Sequence, residues 1–177
     1  MRVCNGNLTL TNATVVFNST SGQGIQNNTN GTITINDCHI SASNATYASY
    51  AISNSDGGRM IVNNTTVSST IFLLINNGAG GYLELNNVMA TGKNVCISAV
   101  GTGTKTVVNG GTYKCVDETL MGVASAINDA VIVLNGCTIN VPDYHETLDN
   151  PIKANNGGSV TGTATIVYDE GTASWSK

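Results

Sequence analysis

"NGTITINDCHI" (residues 30–40) is the stretch that decides the fold. Ile33, Thr34 and Ile35 alternate apolar and polar side chains, as a strand does when its residues point to two faces in turn. Asn36 and Asp37 then interrupt the alternation where a sharp bend would. Cys38, His39 and Ile40 resume it. The stretch reads as two short strands joined by a corner.

The pattern recurs along the chain. "LTLTNATV" (8–15) matches "ITINDCHI" (33–40), "MIVNNTTV" (60–67), "LELNNVMA" (83–90), "TVVNGGTY" (106–113) and "IVLNGCTI" (132–139). A frayed last copy is "SVTGTATI" (159–166). The spacing, roughly 23 to 27 residues, lies in the range of solenoid repeats. A third apolar stretch precedes most copies: "GIQN" (24–27), "YAISN" (50–54), "FLLINN" (72–77), "VCISA" (95–99), "VASAIN" (123–128) and "PIKAN" (151–155). Most of these end in Asn, with a Gly soon after. Each unit therefore holds three short strands and three turns.

Aligned positions form columns. After the corner stand Ala13, Cys38, Thr65, Val88, Gly111, Cys137 and Ala164; two residues on stand Val15, Ile40, Val67, Ala90, Tyr113, Ile139 and Ile166. The first position holds Leu8, Ile33, Met60, Leu83, Thr106, Ile132 and Ser159. Such columns are the layers of a narrow shared core. Helical periodicity is absent, and "ETLMGVASAIN" (118–128) is read as turn plus strand because its end falls in register with "YAISN" and "PIKAN". The expected fold is all-β: a right-handed, single-stranded parallel β-helix of about seven coils, its hand set by the crossover rule for parallel strands. Asn suits the corners, since it tolerates left-handed backbone angles and its amide reaches the equivalent Asn one coil away. Residues 1–177 form one domain, with 168–177 as a C-terminal cap or tail carrying Trp175.

With the coils aligned, "GIQNNTNGTITINDCHI" (24–40) resembles the repeats of right-handed β-helix proteins of the pectin-lyase-like superfamily. "VVNGGTYKC" (107–115) and "VLNGCTINV" (133–141) are similar to repeats of large bacterial surface proteins. The resemblance implies the fold across nearly the whole chain. It points to polysaccharide lyases and hydrolases, surface adhesins or phage tail spikes, and fold alone does not choose among them. The enzyme motifs of that superfamily have no match here.

Composition narrows the field. Charged residues make up 10% of the 177-residue chain, against a usual share of about 25%. The net charge of −4, from 7 basic and 11 acidic residues, gives no basic face for nucleic acid or an anionic membrane. "TIFLLI" (70–75) is too short to span a bilayer, and "MRVCNGNLTL" has no continuous apolar core of a signal peptide. The expected location is extracellular or cell-surface, by another export route or as part of a longer chain. An abrupt first coil at Val3 suggests further coils before it, or self-association through the exposed β-helix ends. The 5 cysteines (Cys4, Cys38, Cys96, Cys115, Cys137) are an odd number without a CxxC, read as buried free thiols acting as small apolar residues.

Chemistry has one candidate cluster. Asp117 and Glu118 of coil five and Asp143, Tyr144, His145, Glu146 and Asp149 of coil six sit at similar offsets, so adjacent coils stack them on one side. Carboxylates a strand spacing apart suit Ca²⁺ (Asp117, Asp143, Glu146). They also suit acid–base glycoside cleavage (Asp117, Glu118, Asp143, His145, Glu146). The favoured reading is that the two longest turns are solvated loops, which carry charge. No cofactor is otherwise expected. His39 and the threonines of its column read as an outward polar stripe. Tyr47, Tyr50, Tyr82, Tyr113 and Tyr144 are candidate sugar-stacking rings, with Tyr47, Tyr50 and Tyr144 the chosen ligand-binding set. The leading expectation is a non-catalytic adhesin- or stalk-type module that binds a polysaccharide or host-surface glycan. A polysaccharide-active enzyme and a phage tail-spike or fibre segment are the alternatives.

Overall fold

The structure is a computed structural model that describes residues 1–18, 24–43, 50–70, 73–116, 122–141, 151–169 and 171–177. Among these residues every regular element is a strand. The first turn contributes β1 (Arg2–Cys4), β2 (Asn7–Thr11) and β3 (Thr14–Asn18). The next adds β4 (Ile25–Asn28), β5 (Thr32–Asn36) and β6 (His39–Ser43), then β7 (Ile52–Asn54), β8 (Arg59–Asn63) and β9 (Thr66–Ser69). There follow β10 (Leu73–Gly78), β11 (Tyr82–Asn86) and β12 (Met89–Gly92), then β13 (Val95–Val100), β14 (Lys105–Asn109) and β15 (Thr112–Cys115). Last come β16 (Ala124–Ile127), β17 (Val131–Asn140), β18 (Ile152–Asn155), β19 (Ser159–Tyr168) and β20 (Gly171–Ser176).

Three faces result. The first is a seven-stranded sheet in the order β1-β4-β7-β10-β13-β16-β18. The second stacks β2, β5, β8, β11 and β14 under the leading half of β17, and the third stacks β3, β6, β9, β12 and β15 under its trailing half. Strands of successive turns pair in parallel, each with the corresponding strand one turn on. The chain is thus a parallel β-solenoid of about six turns, close to the seven coils expected.

Inward columns match the aligned repeats on two sides. Leu8, Ile33, Met60, Leu83, Thr106 and Ile132 stack in register, as do Val15, Ile40, Val67, Ala90, Tyr113, Ile139 and Ile166. From Ile33 onward their large side chains are fully buried, each contributing about 1.5–3 kcal/mol. Tyr113 fits because Ala90 beneath it is small. At the last turn the column takes Val160 above Ile132, where the repeat alignment put Ser159. The cause is a bulge between Asn135 and Cys137. Gly136, at φ 69°, adds one residue to that corner that the turn above lacks. The same geometry makes β17 and β19 run around the corner as single 10-residue strands, where two short strands were expected.

Asparagine holds the stack together in two places. At the corner between the second and third faces, Asn12, Asp37, Asn64 and Asn87 take left-handed φ of 46–53°. Their neighbours form a row in which Asn63 Nδ2 donates to Asn36 Oδ1 (2.7 Å), Asn86 to Asn63 (2.8 Å), Asn109 to Asn86 (2.7 Å) and Asn135 to Asn109 (2.7 Å). A second row is wholly buried. Asn27 Nδ2 donates to Asn54 Oδ1 (2.9 Å), Asn54 Nδ2 to Asn77 Oδ1 (2.9 Å) and Asn77 Nδ2 to Thr106 Oγ1 (3.0 Å). Each of these amides also bonds the carbonyl four residues on, at Gly31, Gly58 and Gly81. A Cβ at Gly58 would stand 2.6 Å from Asn27 Nδ2 and 2.7 Å from Asn54 Oδ1, so the row needs glycine there. Its lower end, Asn27 Oδ1, is buried without a partner, a cost of about 1–3 kcal/mol.

The last strand reverses direction. β20 pairs antiparallel with Thr163–Tyr168 of β19, and Trp175 packs half-buried against the core.

Candidate functional site

The acidic cluster of the sequence analysis lies outside the described residues: Asp117, Glu118, Asp143, Tyr144, His145, Glu146 and Asp149 all fall there, and so does Tyr47. Tyr50 is described. It is half-buried where the chain enters the first face, and its carbonyl accepts from Gly24 N at 2.8 Å. Tyr113 is withdrawn as a sugar platform. Its ring is wholly inside the core, and its hydroxyl has no hydrogen-bond partner there. His39 points outward and is exposed, in a column with Thr14 and Thr66. Among the described residues no three His, Cys, Asp or Glu side chains gather as a metal site.

The structure assembles one polar group that the sequence analysis left scattered. It lies on the outer surface of the second face, where Arg59, Tyr82 and Lys105 occupy one outward column and Ile61, Glu84 and Val107 the next. The register puts these side chains one strand spacing apart, about 4.8 Å. The Arg59 guanidinium sits 4.4 Å above the centre of the Tyr82 ring, a cation–π contact worth about 0.5–1 kcal/mol at an exposed site. Tyr82 Oη donates to Glu84 Oε2 at 3.1 Å, and Asn86 Nδ2 donates to Glu84 Oε1 at 3.2 Å. Arg59 Nη2 lies 3.9 Å from the same carboxylate, a solvent-screened pair worth less than about 1 kcal/mol. Partial burial raises the Tyr82 phenol above its ordinary pKa, the Glu84 hydrogen bond and charge add to this, and Arg59 offsets part of it. The phenol therefore stays protonated and keeps donating.

This arrangement fixes one aromatic ring on a flat strip beside the corner row of asparagine amides. In that row Asn63, Asn109 and Asn135 each spend one N–H on the neighbour below and have a second to offer outward, while Asn86 gives its second to Glu84. Arg59 and Glu84 escaped the sequence analysis because an isolated Arg and Glu say little. The signal was available in the repeat alignment: Arg59, Tyr82 and Lys105 each stand one residue before the first core position of their repeat.

A separate groove of about 480 Å³ opens on the third face between Ala42, Ser68, Thr91, Lys93 and Val116. Among the described residues no helix is long and apolar enough to cross a membrane. The chain matches no protein-family model, no curated protein and no solved structure.

Proposed function

We propose that this chain is a non-catalytic β-solenoid module of an extracellular or cell-surface protein, and that it binds a polysaccharide or surface glycan along its second face. The observation that supports this most is the Arg59–Tyr82–Glu84 group on a flat strip beside the asparagine row. A sugar ring presents an apolar C–H face and a rim of hydroxyls. An aromatic ring meets the first, and amides and a carboxylate meet the second. The asparagine amides recur once per turn, at Asn36, Asn63, Asn86, Asn109 and Asn135, an interval that suits a ligand that is itself a repeating chain. A stiff rod of stacked turns also suits a stalk. The resemblance to β-helices of bacterial surface proteins points the same way.

The test is a polysaccharide panel that records binding and product formation together, with and without Ca²⁺. The expected result is binding without turnover, weakened roughly 3- to 10-fold in Tyr82→Ala. Turnover would instead make this a polysaccharide-active enzyme. Binding unaffected by Tyr82→Ala would move the site off the second face. Failure to bind any member of the panel would leave a structural spacer.

A further inference from the structure

Cys96 lies in β13 on the first face and Cys115 ends β15 on the third, so the two stand at the start and finish of one turn. Both side chains are fully buried, and their Sγ atoms are 3.6 Å apart. The two thiols are tied in reciprocally: Cys96 Sγ donates to Lys114 O and Cys115 Sγ to Asn94 O, each at 3.0 Å. Each sulfur is thus held by the backbone just before the other cysteine. Cys4, by contrast, is exposed, and Cys38 Sγ is turned toward Asn36 O.

We propose that Cys96 and Cys115 are an oxidisable pair that closes into an intramolecular disulfide, locking this turn of the solenoid into a covalent ring. A disulfide bond is about 2.05 Å long, so closure brings the sulfurs together by roughly 1.5 Å. Side-chain rotation on two fixed strands can supply such a shift. The oxidant is a low-molecular-weight disulfide. The Cys115 thiolate attacks one of its sulfurs and expels a small thiolate, which takes up the proton that Cys115 released. Cys96 then attacks Cys115 Sγ and expels the second small thiol. Two protein thiols are oxidised, one disulfide is reduced to two thiols, and the protons balance.

Neither thiol reaches the surface, so the oxidant meets Cys115 only when the chain opens locally beside it. Val116, next to Cys115, is 48% exposed and lines the 480 Å³ groove with Thr91 and Lys93. Desolvation pushes the Cys96 thiol well above its ordinary pKa, with Cys115 adding to the effect. The Cys96 thiolate that completes the ring is therefore scarce at neutral pH, which makes the closing step slow. The same burial then shields the product from reductants.

The experiment uses the full chain carrying Cys4→Ser, which removes only the exposed thiol. It is incubated with 2-hydroxyethyl disulfide, alkylated under denaturing conditions, digested and analysed by tandem mass spectrometry. The expected result is a Cys96–Cys115 linked peptide with Cys38 and Cys137 alkylated. The ring joins residues 19 apart, so the oxidised chain should melt about 5–10 °C higher than the reduced one. Adding Cys115→Ala should abolish that rise. Recovery of Cys96 and Cys115 as alkylated thiols or separate mixed disulfides would overturn the pairing. A link that leaves the melting temperature unchanged or lowers it would overturn the locking role.

Discussion

A single buried side chain decides much at the residue scale. Asn54 is fully buried, accepts from Asn27 and donates to Asn77 Oδ1, Gly58 O and Tyr82 O. Asn54→Ala strands the partners on both sides of it, where water cannot substitute. The expected cost is about 2–4 kcal/mol, read as a fall in melting temperature of roughly 5–15 °C. Asn63 makes the same kind of contact in the half-buried corner row. Water can replace its partners, so Asn63→Ala should cost under about 1 kcal/mol. Equal losses from the two substitutions would show that burial is not what makes the inner row matter. The inner row was half legible in the sequence. Asparagines ending the third stretch, each with a glycine near, are visible there. That Asn27, Asn54 and Asn77 point inward while Asn36 and Asn63 lie at the surface follows only from the turn geometry.

Corners set the register of the elements. Gly110 and Gly111 both have positive φ, 64° and 83°. A Cβ on Gly110 meets nothing within 4 Å, whereas one on Gly111 runs into the Val88 backbone. Gly110→Asn should therefore stay within about 0.5 kcal/mol of the parent chain, since Asn87 and Asn64 hold the same conformation one and two turns below. Gly111→Ala should cost at least about 2 kcal/mol. Denaturant melts of the two variants decide the matter, and a tolerated Gly111→Ala would mean that the corner can relax. Alternation and repeat spacing made the strands and most columns readable in advance. The exception was the last turn, where the extra residue at Gly136 shifts Val160 into the place assigned to Ser159. A bulge of one residue leaves no mark in a hydrophobic pattern that is already frayed. The candidate site was less legible, because Arg59, Tyr82 and Glu84 become neighbours only when turns stack.

For the whole molecule, the buried thiols make stability sensitive to alkali. Burial pushes the Cys137 thiol up to about 11 from an ordinary value of 9.0. Cys96 and Tyr113 are raised well above their ordinary values, again chiefly by burial. Between those limits the unfolded chain gives up protons that the folded chain keeps, so rising pH favours unfolding. The stabilisation is complete below about pH 9 and is lost through about pH 11, with Cys137 alone supplying about 2–3 kcal/mol. Melting temperature should be flat from neutrality to about pH 8.5 and then fall steadily. Cys137→Ala should make the fall shallower, and an unchanged slope would assign the effect to other groups. The two asparagine rows also give the rod a direction. The buried row points its N–H groups toward the C-terminal end, from Asn27 to Thr106, while the corner row points them toward the N-terminal end, from Asn135 to Asn36. Either row alone would be a line of aligned dipoles, positive at one tip and negative at the other. Running oppositely a core's width apart, they offset one another in part, and much of the amide field stays within the cross-section instead of emerging at the tips.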